Sequence, residues 1–401
     1  MIKQYYKQAL AQLRQHPLIS IIGIVGTALS IFLIMLVVMM QQVKVAPFSP
    51  ESNRNRFLHV HYMSISHKDW GNGTSNGPMS VQTAREVYKS LKTPEAVTVY
   101  CCMTVSTPVS LPGAPAIGAD VRETDDTFFH VFDFQFTDGK PYDEATFTAG
   151  RPVAVITESI SRALFGSIQS VGKEFLLSHA PYRVVGVVKD VSTLADMAYG
   201  QVWIPFTSTN LSNDTWSDNH MGMMSVTLLA HDREDFDEIR AEAKRRMNEY
   251  NSILADQGYT LIDRNRPYDQ ETQSISFAAN LEPDLKAARR ERVIIFIILL
   301  LVPAINLSSM TQSRLRQRVA EIGVRRAFGS TRIEMVGQIV MENLVITLLA
   351  GAIGLLISIL FAYWGTDILF AQPYSVTLNA PTVDSRILLQ PSTFLYALLF
   401  C

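Results

Sequence analysis

The chain has 401 residues, of which 48% are hydrophobic and only 18% charged, and its formal net charge is −2. Soluble globular chains carry about 25% charged residues, and here the deficit is gathered into a few long uncharged runs. That pattern excludes a soluble enzyme, a disordered chain and a disulfide scaffold. The near-neutral balance argues against a nucleic-acid partner, which would call for a basic face.

The first uncharged run is Leu18 to Met40, LISIIGIVGTALSIFLIMLVVMM. About 20 apolar residues cross the hydrocarbon core as a helix. A cleaved signal peptide has a shorter apolar region, about 7–15 residues, ending in small residues. Only Ala46 resembles a cleavage-site residue, so residues 18–40 read as a retained anchor. The amphipathic segment 1–17 ahead of it carries Lys3, Lys7 and Arg14 and no acid. The second run, residues 293–310, contains Pro303, which tends to kink a helix but is tolerated in membranes. The third, residues 344–364, holds Gly351 and Gly354, small residues that permit close helix packing. Residues 365–392 read as an external loop. The apolar stretch 393–401 is too short to span, and reads as the start of a truncated fourth span or as an interfacial end.

Orientation follows from Lys and Arg in short loops. Residues 311–343 carry Arg314, Arg316, Arg318, Arg325, Arg326 and Arg332, so this loop and the N-terminal segment belong in the cytoplasm. Three spans place both there, and residues 41–292 then lie outside, with 25 Lys and Arg against 32 Asp and Glu. Lys286, Arg289, Arg290 and Arg292 flank the second span on the outer side against this rule, which long translocated domains obey poorly.

The external segment alternates strand-like and helical stretches. Ala96 to Val105 is rich in β-branched residues, and Val153 to Thr157 reads as a strand. Glu158 to Phe165 follows as a short helix stopped by Gly166. Lys173 to Leu177 and Tyr182 to Val188 read as strands joined through His179, Ala180 and Pro181. Gln201 to Phe206 and Met223 to Leu229 are further strands. Asp232 to Leu254 reads as an amphipathic helix with Phe236, Ile239 and Met247 on its apolar positions. Asn72 to Pro78 (NGTSNGP) reads as a flexible loop. The expected fold class is a membrane protein: an α-helical transmembrane bundle with a large α+β extracytoplasmic domain inserted between the first two spans.

Catalytic signatures are missing. GSIQSVGKE (Gly166 to Glu174) has the wrong spacing for a P-loop and no Ser or Thr after Lys173. There is no HExxH helix and no GxSxG elbow. His59 and His61 bracket Val60 in a strand-like run without a third metal ligand, and read as surface residues. Cys101 and Cys102 are adjacent, which disfavours a disulfide between them, and read as plain strand residues.

The run SRLRQRVAEIGVRRAFGSTRIEMVGQIVME (Ser313 to Glu342) is more informative. Val319, Ile322, Val324, Ala327 and Phe328 give a short helix an apolar side, and Arg325 and Arg326 give it a polar one. Gly329 supplies a helix stop. Thr331 and Glu334 fit the capping box that starts another helix. Two readings stand: a basic loop held by anionic headgroups, or a rigid knob that docks into a soluble partner.

This run resembles the signature of MacB/FtsX-type ABC transporter permeases, an E-I-G-[IV]-R-[KR]-A-[LF]-G-[AS] loop. The matching positions are Glu321, Ile322, Gly323, Val324, Arg325, Arg326, Ala327, Phe328, Gly329 and Ser330, with Glu342 at the start of the next membrane helix. Phe132 to Val191 is similar to the MacB periplasmic core domain, with its V-A-V-I-[ST] strand, A-L-F-G turn, V-G-K step and V-V-G-V-V strand in order. The resemblance covers nearly the whole chain. It implies a four-span, non-catalytic permease subunit of the inner membrane, with the 41–292 domain in the periplasm. It implies pairing as a homodimer or heterodimer and a separate cytoplasmic ATPase subunit, which would hold the ATP and magnesium. This chain itself would bind no cofactor and no metal. Glu321 to Arg332 would contact the ATPase, and nucleotide-driven movement would be transmitted to the external domain for export or extraction of a substrate. A periplasmic adaptor and an outer-membrane channel are further partners of such a machine. The alternatives are an FtsX-like regulatory subunit, controlling an envelope enzyme or sensing antimicrobial peptides, and a membrane-anchored external enzyme.

Overall fold

Helix α1 (Pro17–Val45) outruns the uncharged stretch that seeds it and ends with Lys44 in its last turn, where a cation complements the exposed carbonyls. Its start marks the first of the residues that the computed structural model describes, 17–364. Residues 1–16, and the loop and apolar stretch expected over 365–392 and 393–401, lie outside them. Two units separate by contact: residues 44–285 form one, and the described residues on either side form the other.

In the flanking unit, α1 is joined by α2 (Leu285–Gln317) and α3 (Arg332–Trp364). All three are long and apolar enough to cross a membrane. Pro303 sits inside α2. Gly354 of α3 lies against α1, where a Cβ would stand 2.6 Å from the Ala28 carbonyl oxygen and 3.1 Å from Ile31 Cβ. Only a residue without a side chain lets the two backbones approach so closely. Ile31 and Met35 pack there with Leu355, and Phe32 meets Phe361 edge-on at 5.6 Å. Thr311 Oγ1 donates to Asn343 Oδ1 at 3.0 Å between α2 and α3.

The 44–285 unit is built on strands. They are β1 (Phe57–Val60), β2 (Met63–His67), β3 (Thr74–Gly77), β4 (Ala96–Cys101), β5 (Val105–Ser110), β6 (Ile117–Thr124) and β7 (Phe136–Gly139). Then come β8 (Val153–Thr157), β9 (Glu174–Leu177), β10 (Ala180–Val188), β11 (Val202–Pro205), β12 (Met224–Leu229), β13 (Tyr259–Ile262) and β14 (Tyr268–Asp269). The main sheet runs β11-β8-β10-β9-β5-β6-β4-β12-β1-β14, and β11 also pairs with β6. That second pairing closes β6, β11, β8, β10, β9 and β5 into a small barrel. Its interior is filled by alternate residues, including Ala119 and Val121 of β6, Ala154 and Ile156 of β8, and Val202 and Ile204 of β11. Trp203, one step out of phase, faces the other way, into an aromatic cluster with Phe128, Phe132 and Tyr100. This is the two-residue period of a strand buried on both faces. A helix over Phe236–Leu254 starts from an Asp232–Asp235 capping box and packs Ile239, Ala243 and Met247 on the opposite end of the sheet.

Several sequence expectations are met: the Val153–Thr157 strand, the Glu158–Phe165 helix with Gly166 at φ 69°, and the strands around Val202 and Met224. Others need correction. Asn72 to Pro78 is not a free loop, because Thr74–Gly77 pairs with β2. Asn76 accepts a hydrogen bond from Ser64 and donates to the Thr74 carbonyl, so side chains that signal a turn here serve a strand. Ala96 to Val105 is two strands, broken after Cys101. The β9–β10 connection is Ser178 and His179 alone, at φ 47° and 72°, since Leu177 faces Ala180 across the ladder. Both positive angles suit a two-residue hairpin whose twist matches its strands, and Ala180 and Pro181 therefore belong to β10.

Candidate functional site

The polar segment between α2 and α3 folds as a helix and a sharp turn. α2 continues to Gln317, a helix over Val319–Ala327 follows, and α3 begins at Arg332. Gly329 adopts φ 94°, a left-handed conformation that costs a residue bearing a Cβ about 1–2 kcal/mol. The capping box forms: Thr331 N donates to Glu334 Oε2 at 3.0 Å, and Glu334 N donates to Thr331 Oγ1 at 3.3 Å. Two backbone donors that no helical carbonyl can reach are thereby satisfied. The helix that the box starts runs without a break from Arg332 into the apolar span, and Glu342 lies about three turns inside it. The helix continues through the polar residues because Arg, Glu, Met and Gln are good helix formers.

The residues of the short helix divide by face. Val319, Ala320, Gly323, Val324, Ala327 and Phe328 lie on one half-turn, and all are exposed. Phe328 is 88% exposed, and Ile333, just past the turn, is 85% exposed. Ile322 departs from the expected grouping, standing half-buried on the side of Arg318 and Arg326. Of the residues picked out from sequence, Gly323, Val324, Ala327, Phe328, Gly329 and Arg332 thus lie at one exposed apolar ridge and its turn. This geometry presents an exposed apolar ridge with the exposed Arg326 and Arg332 beside it.

A second construction, invisible in the sequence, holds the chain where it leaves α1. Glu51 and Arg54 are 1% and 3% exposed and pair at 2.7 Å. Glu51 Oε1 accepts from the backbone N–H groups of Met197 and Ala198, both at 2.9 Å. Arg54 donates to the carbonyls of Ala46 at 3.1 Å and Leu194 at 2.9 Å, and its guanidinium lies 4.2 Å from the centre of the Phe48 ring. Every charge is matched, as burial demands.

A neutral chain of hydrogen bonds runs beside it. Gln270 Nε2 donates to the Lys44 carbonyl at 2.8 Å, and His59 Nε2 donates to Gln270 Oε1 at 2.9 Å. His59 Nδ1 then accepts from Thr227 Oγ1 at 3.1 Å, and Thr227 accepts from the Tyr100 hydroxyl at 2.9 Å. His59 and Thr227 sit directly opposite each other on β1 and β12. His59 is 1% exposed, which corrects the expectation of a surface residue. Burial pushes its pKa down to about 3 and also lowers that of His61. A neutral imidazole is what this chain of donors requires. Cys101 is buried and unpaired and Cys102 is half-buried and unpaired. Among the described residues no group of His, Cys, Asp and Glu could hold a metal ion.

These features define an α+β domain joined in the chain to helices long and apolar enough to cross a membrane, and the comparisons identify the class. The MacB-like periplasmic core domain matches residues 18–246, and the FtsX-like permease C-terminal domain matches residues 293–401. The chain belongs to the MacB/FtsX-type ABC transporter permeases. It is 22% identical over 244 residues to the uncharacterized ABC transporter permease YknZ of Bacillus subtilis, covering 59% of this chain and 55% of that one. It is 24% identical over 274 residues to the macrolide export ATP-binding/permease protein MacB of Burkholderia pseudomallei, covering 68% and 39%. The chain thus spans about half, or less, of the length of these relatives. Among solved structures, the periplasmic region of MacB from Actinobacillus actinomycetemcomitans aligns with a TM-score of 0.35 at 19% identity, covering 51% of this chain and 88% of that one.

Proposed function

We propose that the chain is a non-catalytic permease subunit that transmits ATP hydrolysis on a separate cytoplasmic ATPase to movement of its external domain, for export or extraction of a substrate. The exposed ridge of Val324, Phe328 and Ile333, on a turn fixed by Gly329 and the Thr331–Glu334 box, carries this reading. Attraction to anionic headgroups needs only the arginines of this loop and leaves an ordered, exposed apolar ridge unexplained, whereas a central aromatic anchor is what a protein groove binds. In this reading Glu321 to Ser330 and Arg332 form the ATPase-facing element, with ATP and magnesium held by the ATPase. The N-terminus and this element are cytoplasmic, the 44–285 unit is periplasmic, and the subunit works as a homodimer or heterodimer in the inner membrane. An adaptor and an outer-membrane channel would complete the path.

A photoreactive amino acid at position 328 tests the contact. It is expected to cross-link to a co-expressed partner ATPase, whereas the same group at Phe277, 81% exposed in the other unit, is not. Equal cross-linking from both positions, or from neither, refutes the assignment.

A further inference from the structure

The barrel has an open mouth. A cavity of about 480 Å³ lies there, walled by Val105, Val121, Tyr182, Ile204 and Leu211, with Glu123 among them. Small-molecule sites fall in the range of about 300–1,000 Å³ and favour barrel mouths, where an apolar wall surrounds a few polar groups.

Glu123 is the feature that packing does not explain. It continues the inward series of β6 after Ala119 and Val121, and it pairs across the parallel ladder with Ile204. An apolar side chain would complete that layer. Of the fourteen residues lining the cavity, none is basic and Glu123 alone is acidic. Its carboxylate accepts a hydrogen bond from the Thr209 hydroxyl, and burial holds its pKa up at about 7. A carboxylate set in an apolar wall without a cation is costly, and a cation delivered by a ligand would remove that cost. Tyr182 and Ser208 bond to each other at the rim at 3.1 Å, leaving the carboxylate as the one anionic anchor.

We propose that the mouth of the barrel binds a small amphipathic amine, its apolar body between Val105, Val121, Tyr182 and Ile204 and its ammonium group on the Glu123 carboxylate. The site lies wholly within the 44–285 unit and does not depend on how the permease engages an ATPase.

Calorimetric titration of the full chain in nanodiscs, with empty nanodiscs subtracted, tests this at pH 8 with 4-phenylbutylamine and 4-phenylbutan-1-ol, which share an apolar body. The amine is expected to bind at least about tenfold more tightly than the alcohol, the scale of one charge-assisted hydrogen bond. Glu123→Gln should abolish that preference, and Thr209→Val should retain it. Should Glu123→Gln fail to fold, Val105→Trp, which fills the mouth from an exposed strand position, should abolish amine binding instead. Heats no larger than those of empty nanodiscs, equal affinity for amine and alcohol, or unchanged amine affinity in Glu123→Gln or Val105→Trp would overturn the proposal.

Discussion

Replacing Glu51 with Gln probes the construction that fixes the chain beyond α1. The amide oxygen can still accept from the N–H groups of Met197 and Ala198, so those backbone donors remain satisfied. The Arg54 guanidinium loses its counter-charge and meets an amide N–H₂ where a carboxylate oxygen stood. Breaking a buried pair by removing one partner costs about 3–5 kcal/mol. Arg54 keeps the carbonyls of Ala46 and Leu194, which places the cost near the lower end, about 3 kcal/mol. In a unit of this size each kcal/mol lowers the melting temperature by about 2–4 °C, so the expected drop is roughly 6–12 °C. Thermal unfolding of the full chain can be followed through Trp203, buried in the aromatic cluster. The double variant Glu51→Gln/Arg54→Met removes both charges and should recover part of the loss. A single variant melting within about 2 °C of wild type would show that the pair is solvated, and the argument from burial would fail.

The remaining predictions concern other elements. His59 is neutral in the fold and titrates normally when unfolded, so its contribution is intact above pH 6.5 and declines as pH falls toward 3. Between pH 7.5 and 5.5 it should cost about 1.4 kcal/mol, read as the difference in denaturant midpoint shift between wild type and His59→Gln. Glu123 works in the opposite sense, since burial raises its pKa and stability falls as pH rises through about 7. An identical pH response in His59→Gln would contradict the buried, neutral assignment. Gly329→Val should cost about 1–2 kcal/mol locally, seen as faster amide exchange over residues 326–335 with the global melt unchanged. Gly354→Leu should part α3 from α1, because its first side-chain atom meets the Ala28 carbonyl oxygen. The check is loss of the disulfide cross-link between cysteines placed at Ile31 and Leu355; retention of the link would mean that the packing is not set by Gly354.

What the sequence revealed and concealed follows from the range of each interaction. The membrane helices and the 319–334 turn were legible because their signals are local: uncharged length, a glycine stop and a Thr-x-x-Glu spacing. The Glu158–Phe165 helix was legible for the same reason, with Thr157 before it and Gly166 after. The barrel was not, since its closure rests on β11 pairing with β6 across some eighty residues, and no local pattern encodes that register. His59 misled because a histidine between apolar neighbours looks the same whether it faces water or Thr227. Glu51 and Arg54 sit three apart between prolines and a strand, an ordinary surface spacing. Only the arrival of residues 194–198 buries them. Asn72 to Pro78 carried strong turn residues, yet strand β2 supplied a ladder that overrode them.

The central claim is that the turn between α2 and α3 transmits force to and from an ATPase. The most direct measurement is the ATPase rate of the co-purified partner subunit with the full chain in nanodiscs, comparing wild type with Phe328→Asp. Phe328 is exposed and packs no core, so the variant should insert and melt as wild type does. Stimulation of hydrolysis by wild type and its loss in Phe328→Asp is the predicted result. Equal stimulation by both would contradict the account.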